Sequence, residues 1–439
     1  MLSLGIREYC RKAAYLNTSC SRRCPAALHN AAEPGRWTSA TQDLAQHAKL
    51  SVQCRPIHTW RNHLRRDLAI DYLRSGVTML VVVHHAALAY TTFSHYDPGQ
   101  YLRSMAPVVD MFRWMPLDLL VGFNDMFFMP LMFLISGLFV IPSLERKGSG
   151  RYLFDRAKRL GIPFMISATV LSPLAYYPSW LLSDEIIRGD FLPGFFDSNN
   201  WTPGPAWFLW LLLAFSGGVA VAYRLMPNVV KKLSLSASSA WSLVGIFLAV
   251  SVSTTVPPRL FILPDTWTRL WGPFVFQTWR LLLYFAWFLL GVALGAANPK
   301  LSLSRDHLRP WPLWLALAVS VYVAALLGLR AEYFANMPEW VMKAIPATVY
   351  SLCCTLASLA ALGLARSFFR TTRPLADSFT ANAYGIYVFH YGFVTWSQFY
   401  LLTKPLPAAL KFLLTLSVAL TASWLLTALL RKTVASEVL

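Results

Sequence analysis

Ten apolar runs, each long enough to cross a bilayer, follow one another along most of this chain. They fall at about residues 68–93, 117–141, 162–182, 206–225, 239–257, 272–296, 310–329, 344–365, 381–401 and 408–430. A segment in hydrocarbon must satisfy its own backbone hydrogen bonds, so each run reads as a helix. The chain is therefore expected to be an all-α integral membrane protein, a bundle of about ten transmembrane helices. Composition agrees: 56% of residues are hydrophobic and only 14% charged, against about 25% charged in a soluble domain.

The connections orient the bundle. Arg61, Arg65 and Arg66 precede the first run, and residues 142–160 contain Arg146, Lys147, Arg151, Arg156, Lys158 and Arg159. Lys231 and Lys232, then Lys300, Arg305 and Arg309, then Arg366, Arg370 and Arg373, and finally Arg431 and Lys432 fall on the same side. The intervening loops are poorer in cations. The 183–205 loop holds Asp184, Glu185, Asp190 and Asp197 against Arg188 alone. Basic loops stay in the cytoplasm, which places both termini there and predicts a plasma (inner) membrane location. The net charge of +18 is thus spread over these connections and does not form a nucleic-acid patch.

Three parts are expected: a basic, disordered tail over 1–66, a transmembrane domain over 67–432, and a short C-terminal tail over 433–439. The first part is polar, has no apolar stretch of signal-peptide type, and carries Cys10, Cys20, Cys24 and Cys54. A zinc site of Cys20, Cys24, Cys54 and His58 has loose spacing, so free thiols and no metal are expected.

Ionisable residues inside apolar runs are costly and mark candidate sites. The first run, DYLRSGVTMLVVVHHAALAY, holds Arg74 and His85. Eleven residues at about 100° each leave them within roughly 20° of one face and roughly 16 Å apart. Thr78 and Asp71 fall near that stripe, and Asp71 can pair with Arg74 at i,i+3. His85 is the natural general base; His84 points about 100° away. The second run carries Asn124 and Asp125 near its outer end and Ser136 and Gly137 near its inner end, where small residues also simply allow close packing. Asp125 needs a partner at its depth. Arg156 and Arg159 lie on an amphipathic stretch leading to Pro163 in the first turn of the third run, and suit the phosphates of a cytoplasmic cofactor. Trp207 and Trp210 open the fourth run as an aromatic belt. Gln277 and Arg280 sit just inside the sixth; Arg280 either snorkels or faces a polar cavity. His390 lies in the middle of the ninth, with Tyr387 beside it and Tyr384 before it.

Taken in order, Arg74 and His85 in a segment of the type LDxLRxxA…HH, FFMPLMFLISGLF, Arg156 and Arg159 before LGIPF, PAWFLW, and NAYGIYVFH resemble the membrane acyltransferase-3 family. The resemblance covers about residues 67–430. It implies transfer of acyl groups to cell-envelope sugars and related acceptors, with His85 as catalytic histidine and Arg74 as its companion. It also implies acyl-CoA, acetyl-CoA among the candidates, as donor substrate, bound from the cytoplasm near Arg156 and Arg159. Asp71, Asp125, Ser136, Arg280, Tyr387 and His390 are candidates for donor or acceptor binding, with no permanently bound cofactor. The acceptor is expected to be an envelope sugar or glycolipid. The alternative is a transporter or flippase for a polar lipid or sugar, whose pathway the same residues would line. No internal repeat and no matched pair of broken helices supports it.

Overall fold

The chain divides between Arg66 and Asp67. The structure, a computed structural model, describes residues 67–184, 189–297, 303–328 and 337–438. The candidate zinc ligands and the tail lie outside these residues. Among the described residues, no group of three or more His, Cys, Asp or Glu could hold a metal ion. Cys353 and Cys354 are buried free thiols.

The described part is helical. Its long helices are α1 (Leu68–Leu88), α2 (Met115–Gly137) with its short extension α3 (Val140–Lys147), α4 (Ser149–Leu181), α5 (Trp207–Leu225), α6 (Ala240–Phe261), α7 (Leu281–Ala296), α8 (Trp311–Gly328), α9 (Glu339–Phe368), α10 (Pro374–Leu401) and α11 (Ala408–Leu430). Between α6 and α7 lies one antiparallel hairpin, β1 (Trp267–Arg269) and β2 (Val275–Gln277). Among the described residues, eight helical spans are long and apolar enough to cross a membrane. The two long helices outside that set are α1 and α10, the pair that carries the histidines. Their polar side chains lower their hydropathy, and both are packed among the others.

The helix α1 starts where Asp67 caps it, accepting the Ile70 N–H at 3.3 Å while pairing with Arg366 at 2.7 Å. It then packs along α10. Tyr72 donates to Asp377 at 2.8 Å, Ser75 and Thr380 share a bond of 2.9 Å, and His85 meets His390 at 3.4 Å. Each pair is 305 residues apart, so the two helices run parallel in a fixed register. Gln398 of α10 closes the upper end of the seam by donating to the His85 and Ala86 carbonyls at 3.0 and 3.2 Å.

In α4 the structure departs from the sequence expectation. Pro163 lies inside one continuous helix, not in the first turn of a new one, and two π turns, Ala157–Gly161 and Ser167–Leu171, accommodate it and Pro173. Each proline withholds an N–H from a carbonyl about one turn back. Side chains from other segments fill in. Tyr384 donates to the Arg159 carbonyl, Trp201 Nε1 to Ala168 at 2.9 Å, and Trp396 Nε1 to Leu174, one turn before Pro178, at 3.0 Å. The proline-broken ladder of α4 is thus completed largely by α10, which fixes the depth of one helix against the other.

Where α2 meets α7 the backbones touch. A Cβ at Gly137 would run into the Phe288 carbonyl, one at Gly291 into that of Leu134, and one at Gly295 into that of Leu138. Gly137 therefore serves packing, as the Ser136–Gly137 pair allowed. Gly291→Ala should force the helices apart and destabilise the protein by about 1–3 kcal/mol. Gly217→Ala, with nothing within 4 Å, is the control. Thermal denaturation in detergent checks this; equal midpoints would refute the close approach.

Candidate active site

His85 is the eighteenth residue of α1, well past its middle, and is half-buried. Its Nδ1 lies 2.9 Å from the Val81 carbonyl and 3.4 Å from His390 Nε2. A carbonyl only accepts, so Nδ1 carries the proton and Nε2 keeps its lone pair. The same logic holds for His390, completely buried, whose Nδ1 donates to the Tyr387 carbonyl at 2.7 Å. Its Nε2 is then an acceptor turned toward His85 Nδ1–H. Both contacts favour the tautomer in which His85 Nε2 is basic. No hydrogen bond occupies that nitrogen among the described residues. Tyr391 packs edge-on against the His85 ring at 5.2 Å.

His84 turns to a different set of neighbours. Its ring stacks on Phe128 at 5.3 Å and is 5.5 Å from that of His85. Asp125 and Arg280 are within electrostatic reach of it. Asp125 sits close to the middle of α2, deeper than the outer end where the sequence put it. Its partner is Arg280, at the start of α7, in a two-pronged pair of 2.9 Å and 2.5 Å. Arg280 does not snorkel; it is 7% exposed and its guanidinium lies over Trp279 and Tyr350. Asn124 ties α2 to α1 through the Leu80 carbonyl at 3.1 Å.

The remaining candidates lie apart from this cluster. Arg74 has a half-exposed side chain, 4.0 Å from Asp71, and lies roughly three turns down α1 from His85. Arg156 donates to the Tyr152 hydroxyl at 3.2 Å, and Arg159 is exposed. Tyr384, which bonds the Arg159 carbonyl, is one turn of α10 above Thr380, so Arg159 lies toward the same end as Arg74. Ser136 bonds back to the Met132 carbonyl of its own helix at 2.8 Å. Tyr387 donates to the Pro205 carbonyl, which anchors the loop before α5. Trp207 and Trp210 are held by protein contacts as well as by any belt. The former stacks on Tyr284, and the latter donates to the Val275 carbonyl at 2.9 Å.

Sequence reasoning passed over Gln398, Tyr391 and the pair Asp110–Lys411, a contact of 2.6 Å with both side chains buried. The lysine was visible as a charge three residues into the last apolar run.

The motif segments therefore lie on α1, α2, α4, α5 and α10; α1 and α10 bring His85 and His390 together, and α2 supplies Phe128 against His84. A family model described as an acyltransferase domain matches residues 67–428. The chain belongs to the acyltransferase-3 family. No curated protein and no solved structure matches it. An acyltransferase-3 protein is an O-acyltransferase, so the chain is an enzyme. Its apolar helices make this acyltransferase a multi-pass membrane protein.

Proposed function

We propose that the enzyme moves an acyl group from acyl-CoA, approaching from the cytoplasm, to a hydroxyl of an envelope carbohydrate or lipid-linked acceptor. The observation that carries this reading is His85, whose Nδ1–H is engaged by a carbonyl and by His390 while Nε2 remains basic. In the reaction Nε2 takes the proton of the acceptor hydroxyl as its oxygen attacks the thioester carbonyl. The tetrahedral intermediate then expels the CoA thiolate, which recovers the proton from the imidazolium. General-base assistance of this kind contributes about 10²–10⁴-fold. Arg74, Arg156 and Arg159 gather cations toward one end of the bundle, where the phosphates of CoA would sit, and its long pantetheine arm would bring the thioester up to His85. The test is release of free thiol from acetyl-CoA and longer acyl-CoAs by the purified protein. Rates equal to those in buffer for every chain length would overturn the donor.

The orientation belongs to the same proposal. Parallel helices cross a membrane in the same direction, so an odd number of crossings must separate α1 from α10. Seven of the eight candidate spans lie between them. With α1 and α10 counted, ten crossings leave both termini on one side, and the basic connections favour the cytoplasm. Ser198 and Asp306 are exposed or nearly so on connections of opposite side in this scheme. Ser198→Cys should be labelled by an impermeant thiol reagent from outside intact cells, and Asp306→Cys only after permeabilisation, in a background lacking the native cysteines. The reverse pattern would invert the protein.

A further inference from the structure

Four buried polar atoms around the Asp125–Arg280 pair have no hydrogen-bond partner among the described residues: His84 Nδ1, Asn124 Oδ1, Arg280 Nε and the Tyr350 hydroxyl. Buried polar groups are nearly always satisfied by protein, water or ligand, so four such atoms at one place call for an explanation. Asn124, Arg280 and Tyr350 are each less than 9% exposed. The carboxylate between them is different. The Asp125 side chain keeps 39% of its surface open, so its carboxylate remains accessible beside these buried groups. The cluster lies beside the reaction centre: Asp125 and Arg280 are within electrostatic reach of His84, whose ring is 5.5 Å from that of His85.

The chemistry of these groups selects a ligand. Arg280 already meets the Asp125 carboxylate with both terminal nitrogens. Its charge is therefore neutralised, and the open carboxylate would repel a phosphate or a second carboxylate. An apolar chain would leave the unpartnered atoms unsatisfied. Two groups accept (the carboxylate and Asn124 Oδ1), two donate (Arg280 Nε–H and the Tyr350 hydroxyl), and His84 does either. Hydroxyls both donate and accept, and match such a set.

We infer that His84, Asn124, Asp125, Arg280 and Tyr350 form the acceptor subsite, and that it takes a neutral hydroxyl-bearing molecule such as a sugar or polyol, not the anionic donor. The word acceptor rests on the transferase reading above; the binding does not. The subsite explains why the two histidines face different neighbours: His85 carries the base, and His84 helps to hold the molecule whose hydroxyl is activated.

Saturation-transfer NMR on the full-length protein in detergent tests the subsite, with methyl β-D-glucopyranoside and glycerol as neutral probes and glucose 1-phosphate as the anionic one. Neutral probes should be saturated by the wild type. Asp125→Asn should weaken that signal by about fivefold or more, the loss expected of one charge-assisted hydrogen bond. Tyr350→Phe leaves the ion pair in place and decides the matter if Asp125→Asn fails to fold. It should weaken the signal by about twofold or more. No saturation of either neutral probe overturns the subsite, as does a signal undiminished in both variants or stronger binding of the phosphate. Acyl-CoA consumption is measured on the same samples. Its absence in the wild type overturns the transferase reading whatever the sugar signal does, so the two failures are separable.

Discussion

His85→Ala is expected to lower acyl-CoA-dependent transfer by about 10²–10⁴-fold while the protein inserts and denatures at nearly the wild-type temperature. The imidazole is half-buried and its Nδ1 bond returns to its own helix, so little packing is lost with it. His84→Ala should cost less in turnover and more in the KM for the acceptor. His390→Gln is the informative companion. Its side chain still reaches toward Nδ1 of His85 but presents an amide in place of the ring nitrogen, so kcat should fall by about tenfold. The pH profile should shift as well, which a purely structural loss would not cause. Turnover, KM and thermal midpoint for the three variants check this. Normal turnover in His85→Ala with a dead His84→Ala would assign the base to the other histidine. Normal turnover in both would remove the catalytic reading of α1.

Lys411→Met is expected to produce the largest loss of stability, about 3–5 kcal/mol, because it strands the Asp110 carboxylate in a site that is 1% exposed. Lys411 meets Asp110 at 2.6 Å, and its ammonium lies 4.8 Å from the centre of the Phe112 ring. Asp110 in turn accepts the Phe112 N–H at 2.9 Å and donates its own N–H to the Ala89 carbonyl. The pair thus pins the 89–114 connection over the ends of α1 and α11. Replacing both members, Lys411→Met with Asp110→Asn, should recover most of the loss, since no unpaired charge remains. Thermal denaturation in detergent distinguishes the two cases. A single variant as stable as the wild type would show that the carboxylate finds another partner.

Within the helical bundle, the candidate residues were legible because each is an exception. A histidine, arginine or carboxylate inside an apolar run is costly enough that its presence marks a role. Arg74, His84, His85, Asp125, Arg280 and His390 could all be picked out in this way, and the order of the motif segments pointed to the family that residues 67–428 match. The angular argument also separated His84 from His85, which face different neighbours. It erred where a local rule was applied to one residue without its surroundings. Pro163 reads as a helix start because a proline lacks an N–H. Tyr384, more than two hundred residues later, bonds the Arg159 carbonyl, and the helix continues through a π turn.

Pairings were not legible. Asp125 and Arg280 are 155 residues apart, His85 and His390 are 305 apart, and Asp110 and Lys411 are 301 apart. Membrane helices are apolar all round, so their periodicity does not say which face turns toward which neighbour. Packing decides it, as where the backbones of α2 and α7 touch at Gly137, Gly291 and Gly295. The sequence by itself determined that the chain is a bundle of apolar helices with three histidines and a few charges held within it, because solvation in lipid acts on each segment separately. Only the tertiary structure decided that His390 faces the proton-bearing nitrogen of His85 and that Arg280 neutralises Asp125. Those contacts depend on the rotation and depth of whole helices, and these are set by many small packing and hydrogen-bond contributions spread along the chain.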